Sequence, residues 1–346
     1  MLFHEAFGCA ALVPHRRPVQ RATIFDVASL TKVVATTTAI MILFEEGRLA
    51  LSDEACRFVP QFAQQGKSSV TIGHLMTHSS GLPPYVRFWE VLGGGAHIDP
   101  TVRDAPSGDE TGPAPAQQVF RYIYASRLDH VPGTQTAYSD LGFILLGEVI
   151  ERVTGIALDD FVHERVFGPL GMTSTFYNRG NVASTYPPEV FAATEFSSQR
   201  GGVVCGQVHD ENAYFMGGVA GHAGVFSTAH DLALLVQALL DALAGTGHLL
   251  SPTTVARFVT RANLVEGSSW AFGWDTPSVP SSSGKLFSEL SFGHTGFTGT
   301  SIWVDRQRGL VVILLTNRVH PTRGSERISQ FRPYFHDLVV SLVADH

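Results

Sequence analysis

A serine and a lysine near the amino end of the chain have the spacing of a nucleophile and its base. Ser29 and Lys32 lie three residues apart in the sequence Phe-Asp-Val-Ala-Ser-Leu-Thr-Lys at positions 25–32. On a helix, residues three apart project from the same face, so the amine can reach the hydroxyl. At a helix start, free backbone N–H groups would also favour negative charge on the serine. These residues alone leave two interpretations open, a catalytic pair or a capping serine followed by a solvated lysine.

The segment after Lys32 indicates what environment the lysine has. The apolar run from Val33 to Phe44 predicts a buried helix that ends near Gly47, and it is too short to span a bilayer. Burial disfavours the ammonium form, so we expect a lowered pKa of Lys32 and a neutral fraction of its amine. A lysine that acts as a base needs that neutral fraction.

Composition and charge exclude several classes of protein. The chain has 346 residues, 44% hydrophobic and 16% charged, which is typical of a globular enzyme of about two domains. Its net charge of -7 argues against nucleic acid or anionic lipid as a partner. Three widely spaced cysteines, Cys9, Cys56 and Cys205, indicate neither a disulfide framework nor a metal site, and we predict no cofactor. The first residues do not resemble a secretion signal, so we expect a cytoplasmic protein, or a periplasmic or extracellular one if a precursor start is missing.

Strand-like segments stand at both ends of the chain and helix-like segments in the middle. Residues 2–13 predict an N-terminal strand, and residues 286–292, 300–304 and 310–316 predict strands whose short links make them antiparallel. The order predicts an α+β fold in which an antiparallel sheet, built from both chain ends, is flanked by helices as an α/β/α sandwich. Residues 1–58 and 226–346 would form this domain, and residues 59–225 an inserted, mostly helical and loop-rich domain.

Two further short motifs follow the serine and lysine in order. The tripeptide Tyr-Ser-Asp at 138–140 precedes a strongly amphipathic segment, and His-Thr-Gly at 294–296 lies between two predicted strands, followed by Phe297. Together the three motifs resemble the signature elements of the serine β-lactamase and penicillin-binding-protein superfamily. The resemblance is closest to class C β-lactamases and their related esterases, D-aminopeptidases and D,D-peptidases. It covers nearly the whole chain, because the three motifs are spread from Ser29 to Gly296 and a fourth segment, Leu-Met-Thr-His-Ser-Ser-Gly-Leu at 75–82, is also similar to that family.

The resemblance implies a role for each motif residue. Ser29 would be acylated, Lys32 and Tyr138 would share the work of the general base, and the N–H groups of Ser29 and Phe297 would form the oxyanion hole. A phenol acts as a base at neutral pH only if a positive charge lowers its pKa, and Lys32 is the candidate. Gly296 would leave room for the substrate backbone to lie alongside the strand.

Two residues depart from the family pattern in ways that bear on the substrate. Asp140 stands where class C enzymes have an asparagine; a carboxylate can only accept hydrogen bonds, and it would raise the pKa of Lys32 unless it faces away. His294 replaces the lysine of Lys-Thr-Gly and is mostly neutral at pH 7, which weakens the hold on an anionic substrate. Thr295 and a residual charge on His294 could still bind a carboxylate.

The sequence therefore predicts a serine hydrolase that works through an acyl-enzyme on a small ester or a D-amino-acid amide or peptide, with weak or no β-lactamase activity. The alternative is a penicillin-binding sensor or D,D-peptidase-like module that acylates without efficient turnover. The expected partner is a small ester, peptide or β-lactam-like substrate, with no membrane span. An N-terminal strand without its neighbour would favour a homodimer or lower the stability.

A second polar concentration lies near the middle of the chain. His209, Asp210, Glu211 and His222 admit two interpretations, a loop that lines the substrate cleft or ligands of a metal-dependent hydrolase. They have no established metal-ligand spacing, which favours the cleft loop. His74 and His78 have the four-residue spacing of helical metal ligands, but the glutamate of a His-Glu-x-x-His zinc protease is missing.

Overall fold

A computed structural model describes residues 1–93, 114–179 and 186–344. Its strands are short, and in chain order they are β1 Cys9–Ala11, β2 Arg17–Pro18, β3 Phe25–Asp26, β4 Phe176–Tyr177, β5 Phe196–Ser197, β6 Gly202–Val203, β7 Val225–Ser227, β8 Phe292–Thr295, β9 Ser301–Asp305 and β10 Leu310–Leu314. The α-helices are α1 Thr38–Glu45, α2 Ile72–Met76, α3 Phe88–Val91, α4 Pro115–Ala125, α5 Asp140–Thr154, α6 Leu158–Val162, α7 Glu211–Phe215, α8 Ala229–Leu243, α9 Pro252–Val259 and α10 Ile328–Ala344.

The C-terminal strands form an antiparallel sheet in the order β10-β9-β8, with Leu310 opposite Asp305 and Phe292 opposite Val304. Side chains alternate along β9, as the two-residue period of a strand requires. Trp303 packs with Val340 of α10 on one face, whereas Ile302 and Val304 belong to the main core that includes α1 and α8 on the other. This sheet between two helical layers confirms the predicted α+β class.

The two outer strand predictions need correction in detail. The N-terminal strand is only β1, which pairs with β2, and it reaches the segment after β10 through side chains: Asn317 Nδ2 donates to Ala10 O at 3.1 Å. Residues 286–291 are not a strand, and β8 begins at Phe292. The backbone bends at Lys285 and Leu286 instead, where Asp337 Oδ1 of α10 accepts both N–H groups.

The segment from β3 to α1 runs through the centre of the molecule. After β3 comes a 3₁₀ turn at Ala28–Leu30, then a π-helical stretch at Lys32–Thr37, and then α1. Ala28–Glu45 is long and apolar enough to cross a membrane by length and composition, but 83% of it is buried within the protein. It is thus the core helix that the apolar run predicts. The proposed division at residues 58/59 and 225/226 stays a prediction.

Candidate active site

The predicted nucleophile and its lysine meet at the start of the central helical segment. Ala28, directly before Ser29, has a left-handed φ of 48°, and its N–H donates to Asp26 Oδ1 at 2.8 Å. This turn leaves Ser29 half-buried at the surface of the core, while the Lys32 side chain is fully buried. Lys32 Nζ lies 3.0 Å from Ser29 Oγ, as the three-residue spacing predicts.

Asp140 faces Lys32 and forms an ion pair with it. Asp140 is the first residue of α5, and its Oδ1 lies 2.7 Å from Lys32 Nζ, which also donates to His222 O at 3.1 Å. Burial is the largest single influence on the pKa of Lys32 and lowers it, but the charges and hydrogen bonds of Asp140 and Tyr138 outweigh burial and raise that pKa. The prediction of a lowered pKa is therefore wrong, and the lysine is an ammonium at neutral pH.

Tyr138 reaches the same lysine from the loop before α5. Its ring centroid is 4.9 Å from Lys32 Nζ, and its side chain lies close enough to Lys32 and Ser29 for both to lower its pKa. Tyr138 as a whole is 39% exposed. Burial of the phenol hydroxyl raises the pKa of Tyr138; Lys32 acts in the predicted direction and lowers it, but does not reverse the shift.

The turn between β8 and β9 is bound to the segment that carries Ser29. Thr298 Oγ1 donates to Asp26 O at 2.8 Å and Thr300 Oγ1 donates to Val27 O at 3.1 Å. A Cβ at Gly296 would overlap Thr300 Oγ1 and the Val27 carbonyl. The missing side chain at Gly296 thus admits the nucleophile segment, at the Val27 carbonyl, rather than a substrate.

His294 is a neutral imidazole buried beside the site. It is 3% exposed on β8, and its Nδ1 lies 2.8 Å from Thr295 O, which places the proton on Nδ1. Burial, with Lys32 as the next cause, lowers the pKa of His294 to about 3. The expected residual charge for binding a carboxylate is therefore absent at neutral pH. Its Nε2 is buried and has no hydrogen-bond partner among the described residues.

The polar residues near position 210 form the wall behind Lys32. Asp210 Oδ1 lies 2.9 Å from His222 Nε2, and His222 supplies the carbonyl that Lys32 binds. His222 and its hydrogen bond hold the pKa of Asp210 below its ordinary value although burial raises it. Arg323 links Glu211 to Glu195, which in turn contacts His209 Nε2 at 3.1 Å. Among the described residues, no group of three or more His, Cys, Asp or Glu side chains could hold a metal ion.

Asp26 and His78, which the sequence did not assign to this site, also contact it. His209 N–H donates to Asp26 Oδ2 at 2.6 Å, so Asp26 joins the wall to the turn before Ser29. His78 packs on Tyr138 with ring centroids 4.4 Å apart, whereas His74 caps α2 through Thr71. The two histidines are therefore not paired as metal ligands. No spacing pattern in the sequence links Asp26 to His209 or His78 to Tyr138.

The fold and this arrangement of serine, lysine and tyrosine are those expected of the penicillin-binding-protein and β-lactamase class. The family model described as beta-lactamase matches residues 1–332, and the chain belongs to that family. An Escherichia coli K12 protein, named provisionally as a D-alanyl-D-alanine carboxypeptidase, is 32% identical over 92% of this chain and 76% of its own length.

Solved structures show the same fold at lower sequence identity. The octameric penicillin-binding protein homologue from Pyrococcus abyssi has a TM-score of 0.71 at 22% identity, covering 98% of this chain and 71% of that one. A beta-lactamase/D-alanine carboxypeptidase from Pseudomonas syringae has a TM-score of 0.67 at 20% identity, covering 95% of this chain and 89% of its own. These structures show the shared fold, whereas the family model and the E. coli relative indicate a serine-hydrolase-type enzyme.

Proposed function

We propose that this protein is a serine hydrolase that forms an acyl-enzyme on Ser29 with a small ester or a D-amino-acid amide or peptide. The observation that carries the proposal is the contact of Lys32 Nζ with Ser29 Oγ at 3.0 Å, with the Tyr138 ring centroid 4.9 Å from the same amine. A nucleophile within hydrogen-bond reach of its base is the geometry that covalent catalysis needs. The name of the E. coli relative favours peptides that end in D-alanine within this substrate class.

In the proposed reaction, Ser29 Oγ attacks the acyl carbon and its proton passes to the Lys32–Tyr138 pair. The N–H groups of Ser29 and Phe297 stabilise the oxyanion, a contribution of about 3 kcal/mol for one such donor. The pair then returns the proton to the leaving alcohol or amine as the bond to the acyl carbon breaks. Water repeats the sequence on the acyl-enzyme and frees Ser29. Because Lys32 and Tyr138 are both protonated at neutral pH, the basic form of the pair is a minor species, and acylation should accelerate as pH rises.

Two features support weak or absent β-lactamase activity. His294 is neutral where the Lys-Thr-Gly motif of the superfamily has a lysine, so the carboxylate of a penicillin lacks that cation. Asp140 is engaged with Lys32 and cannot donate a hydrogen bond to the lactam side-chain carbonyl as an asparagine would. A simple ester or a small peptide depends less on these contacts than a penicillin does.

The test is intact-mass analysis and product release with p-nitrophenyl butyrate and with a penicillin, on the native protein and on Ser29→Ala. We expect ester turnover without a stable penicillin adduct, and no turnover by Ser29→Ala. A long-lived penicillin adduct without ester turnover would instead identify the alternative, a penicillin-binding sensor. Hydrolysis that survives Ser29→Ala and stops with EDTA would identify a metal-dependent hydrolase.

A further inference from the structure

His78 binds the backbone on both sides of Tyr138. It follows α2 and is 1% exposed. Its carbonyl oxygen accepts the N–H of Ala137 at 2.9 Å, and its Nδ1 accepts the N–H of Ser139 at 3.1 Å. One residue, distant in sequence, therefore holds the peptide groups that flank the tyrosine, and it fixes the direction in which that side chain leaves the loop.

The imidazole of His78 also packs against the tyrosine ring. The ring centroids of His78 and Tyr138 are 4.4 Å apart, and Trp270 lies 4.4 Å from the same imidazole. Phe143 of α5 contacts it at 5.2 Å. Rotation of the tyrosine ring away from Lys32 would thus disturb a packed aromatic cluster as well as two hydrogen bonds.

The hydrogen bond to Ser139 defines the protonation state of His78. Nδ1 accepts an N–H, so the ring must be neutral with its proton on Nε2. Burial, followed by the charge of Lys32, holds the pKa of His78 well below its ordinary value, which agrees with this tautomer. The buried Nε2 has no hydrogen-bond partner among the described residues, so the Nδ1 contact is the hydrogen bond that orients the ring.

We propose that His78 is a positioning residue for the hydrolase reaction and acts through Tyr138. Its two hydrogen bonds and its ring contact keep the tyrosine hydroxyl within reach of Ser29 and Lys32. This inference rests on the proposed function, because it assigns to Tyr138 a share in proton transfer. A positioning role differs from a general packing role in one respect. The loss of kcat on removal of the His78 side chain should depend on the presence of the Tyr138 hydroxyl.

The backbone conformation of His78 determines which variants are informative. Its φ is 55°, in the left-handed region that glycine and asparagine adopt most readily. His78→Asn keeps a side-chain acceptor close to the position of Nδ1, whereas His78→Gly keeps the conformation and removes the acceptor and the ring. A difference between these two variants therefore reports the side-chain contacts rather than backbone strain.

The first measurement is kcat and KM for p-nitrophenyl butyrate, expressed per site that a fluorophosphonate labels. We expect His78→Gly to lower kcat about 100-fold with little change in KM, the effect of displacing a catalytic group by about 1 Å. His78→Asn should recover most of that loss. His230→Asn, the same substitution at an exposed position on α8, should match the native protein. If His78→Gly does not fold, His78→Gln replaces it. The glutamine amide lies one methylene further from the backbone than Nδ1, so this variant also lacks an acceptor for the Ser139 N–H.

The second measurement is a double-mutant cycle with Tyr138→Phe. If His78 acts through the tyrosine hydroxyl, His78→Gly should cause no further loss of kcat in the Tyr138→Phe background. Equal losses in both backgrounds would overturn the proposal, and so would native-like kcat in His78→Gly or an Asn variant as slow as the Gly variant. Ser29→Ala is assayed alongside: activity that survives it refutes the proposed function itself, whatever the His78 variants do.

Discussion

Two lysines are fully buried in the part of the chain that the structure describes, and their surroundings give them opposite pKa shifts. Lys32, in the candidate active site, forms an ion pair with Asp140, and its pKa is raised. Lys67 lies before α2 and donates to the carbonyls of Tyr124 and Ser126 at the end of α4. It has no ion pair in the part of the chain that the structure describes, and burial lowers its pKa to about 8.

The difference shows that burial does not by itself make a lysine a base. Both ammonium groups are removed from water, which favours the neutral amine. At Lys67 the backbone carbonyls compensate only partly, because they carry no net charge. At Lys32 a carboxylate at 2.7 Å more than compensates. Asp140 is therefore the residue that sets the protonation state of the proposed catalytic pair.

The largest expected effect comes from replacing each lysine with methionine. Lys32→Met should lower kcat/KM for p-nitrophenyl butyrate about 10³-fold, within the range for loss of a general base. It also leaves Asp140 without its cation and should destabilise the fold by about 3 kcal/mol. Lys67→Met should retain native kcat/KM per labelled site. Steady-state kinetics and urea unfolding check both variants, and comparable kinetic losses in the two would contradict a special role for Lys32.

An intermediate effect is expected when the environment of Lys32 is made more like that of Lys67. The Asp140 charge raises the pKa of Lys32 and contributes to the raised pKa of Tyr138. Asp140→Asn removes that charge. Both pKa values should fall, so the rise of kcat/KM with pH should move to lower pH by about one unit. Such a shift makes ester hydrolysis about tenfold faster at pH 7.

A pH–rate profile from pH 6 to 10 measures this shift. Asp129→Asn, the same change at an exposed aspartate outside the ion pair, serves as the control. A profile for Asp140→Asn that coincides with the native one, or moves to higher pH, would show that Asp140 does not govern the basic limb.

Local sequence features predicted the parts of this site that depend on neighbouring residues. The three-residue spacing of Ser29 and Lys32 predicted their contact, and the apolar run predicted the buried helix. The strongly amphipathic segment that follows Tyr-Ser-Asp corresponds to α5, Asp140–Thr154. These features follow from helix geometry, which is set within a few residues of the chain.

The protonation states could not be predicted in the same way, because they depend on contacts between distant segments. The ion pair of Asp140 with Lys32 exists because α5 packs beside the central helix, and the sequence left the direction of Asp140 open. The loss of charge on His294 depends on its burial beside Lys32. The hydrogen bond from Ser139 to His78 likewise joins residues that no local pattern connects.

The smallest expected effect is the pH dependence of stability at Lys67. Its folded-state pKa of about 8 lies below the unfolded value near 10.4, so the unfolded state binds more protons between those two pH values. The burial penalty is fully present below pH 8 and disappears as pH rises towards 10.4. The native protein should therefore gain stability relative to Lys67→Met, by about 1 kcal/mol, because the carbonyls of Tyr124 and Ser126 offset part of the burial penalty. Urea unfolding of both proteins at pH 7.5 and pH 10 measures this difference. A constant difference would mean that the carbonyls of Tyr124 and Ser126 stabilise the ammonium as well as water does, and the contrast with Lys32 would then rest on Asp140 alone.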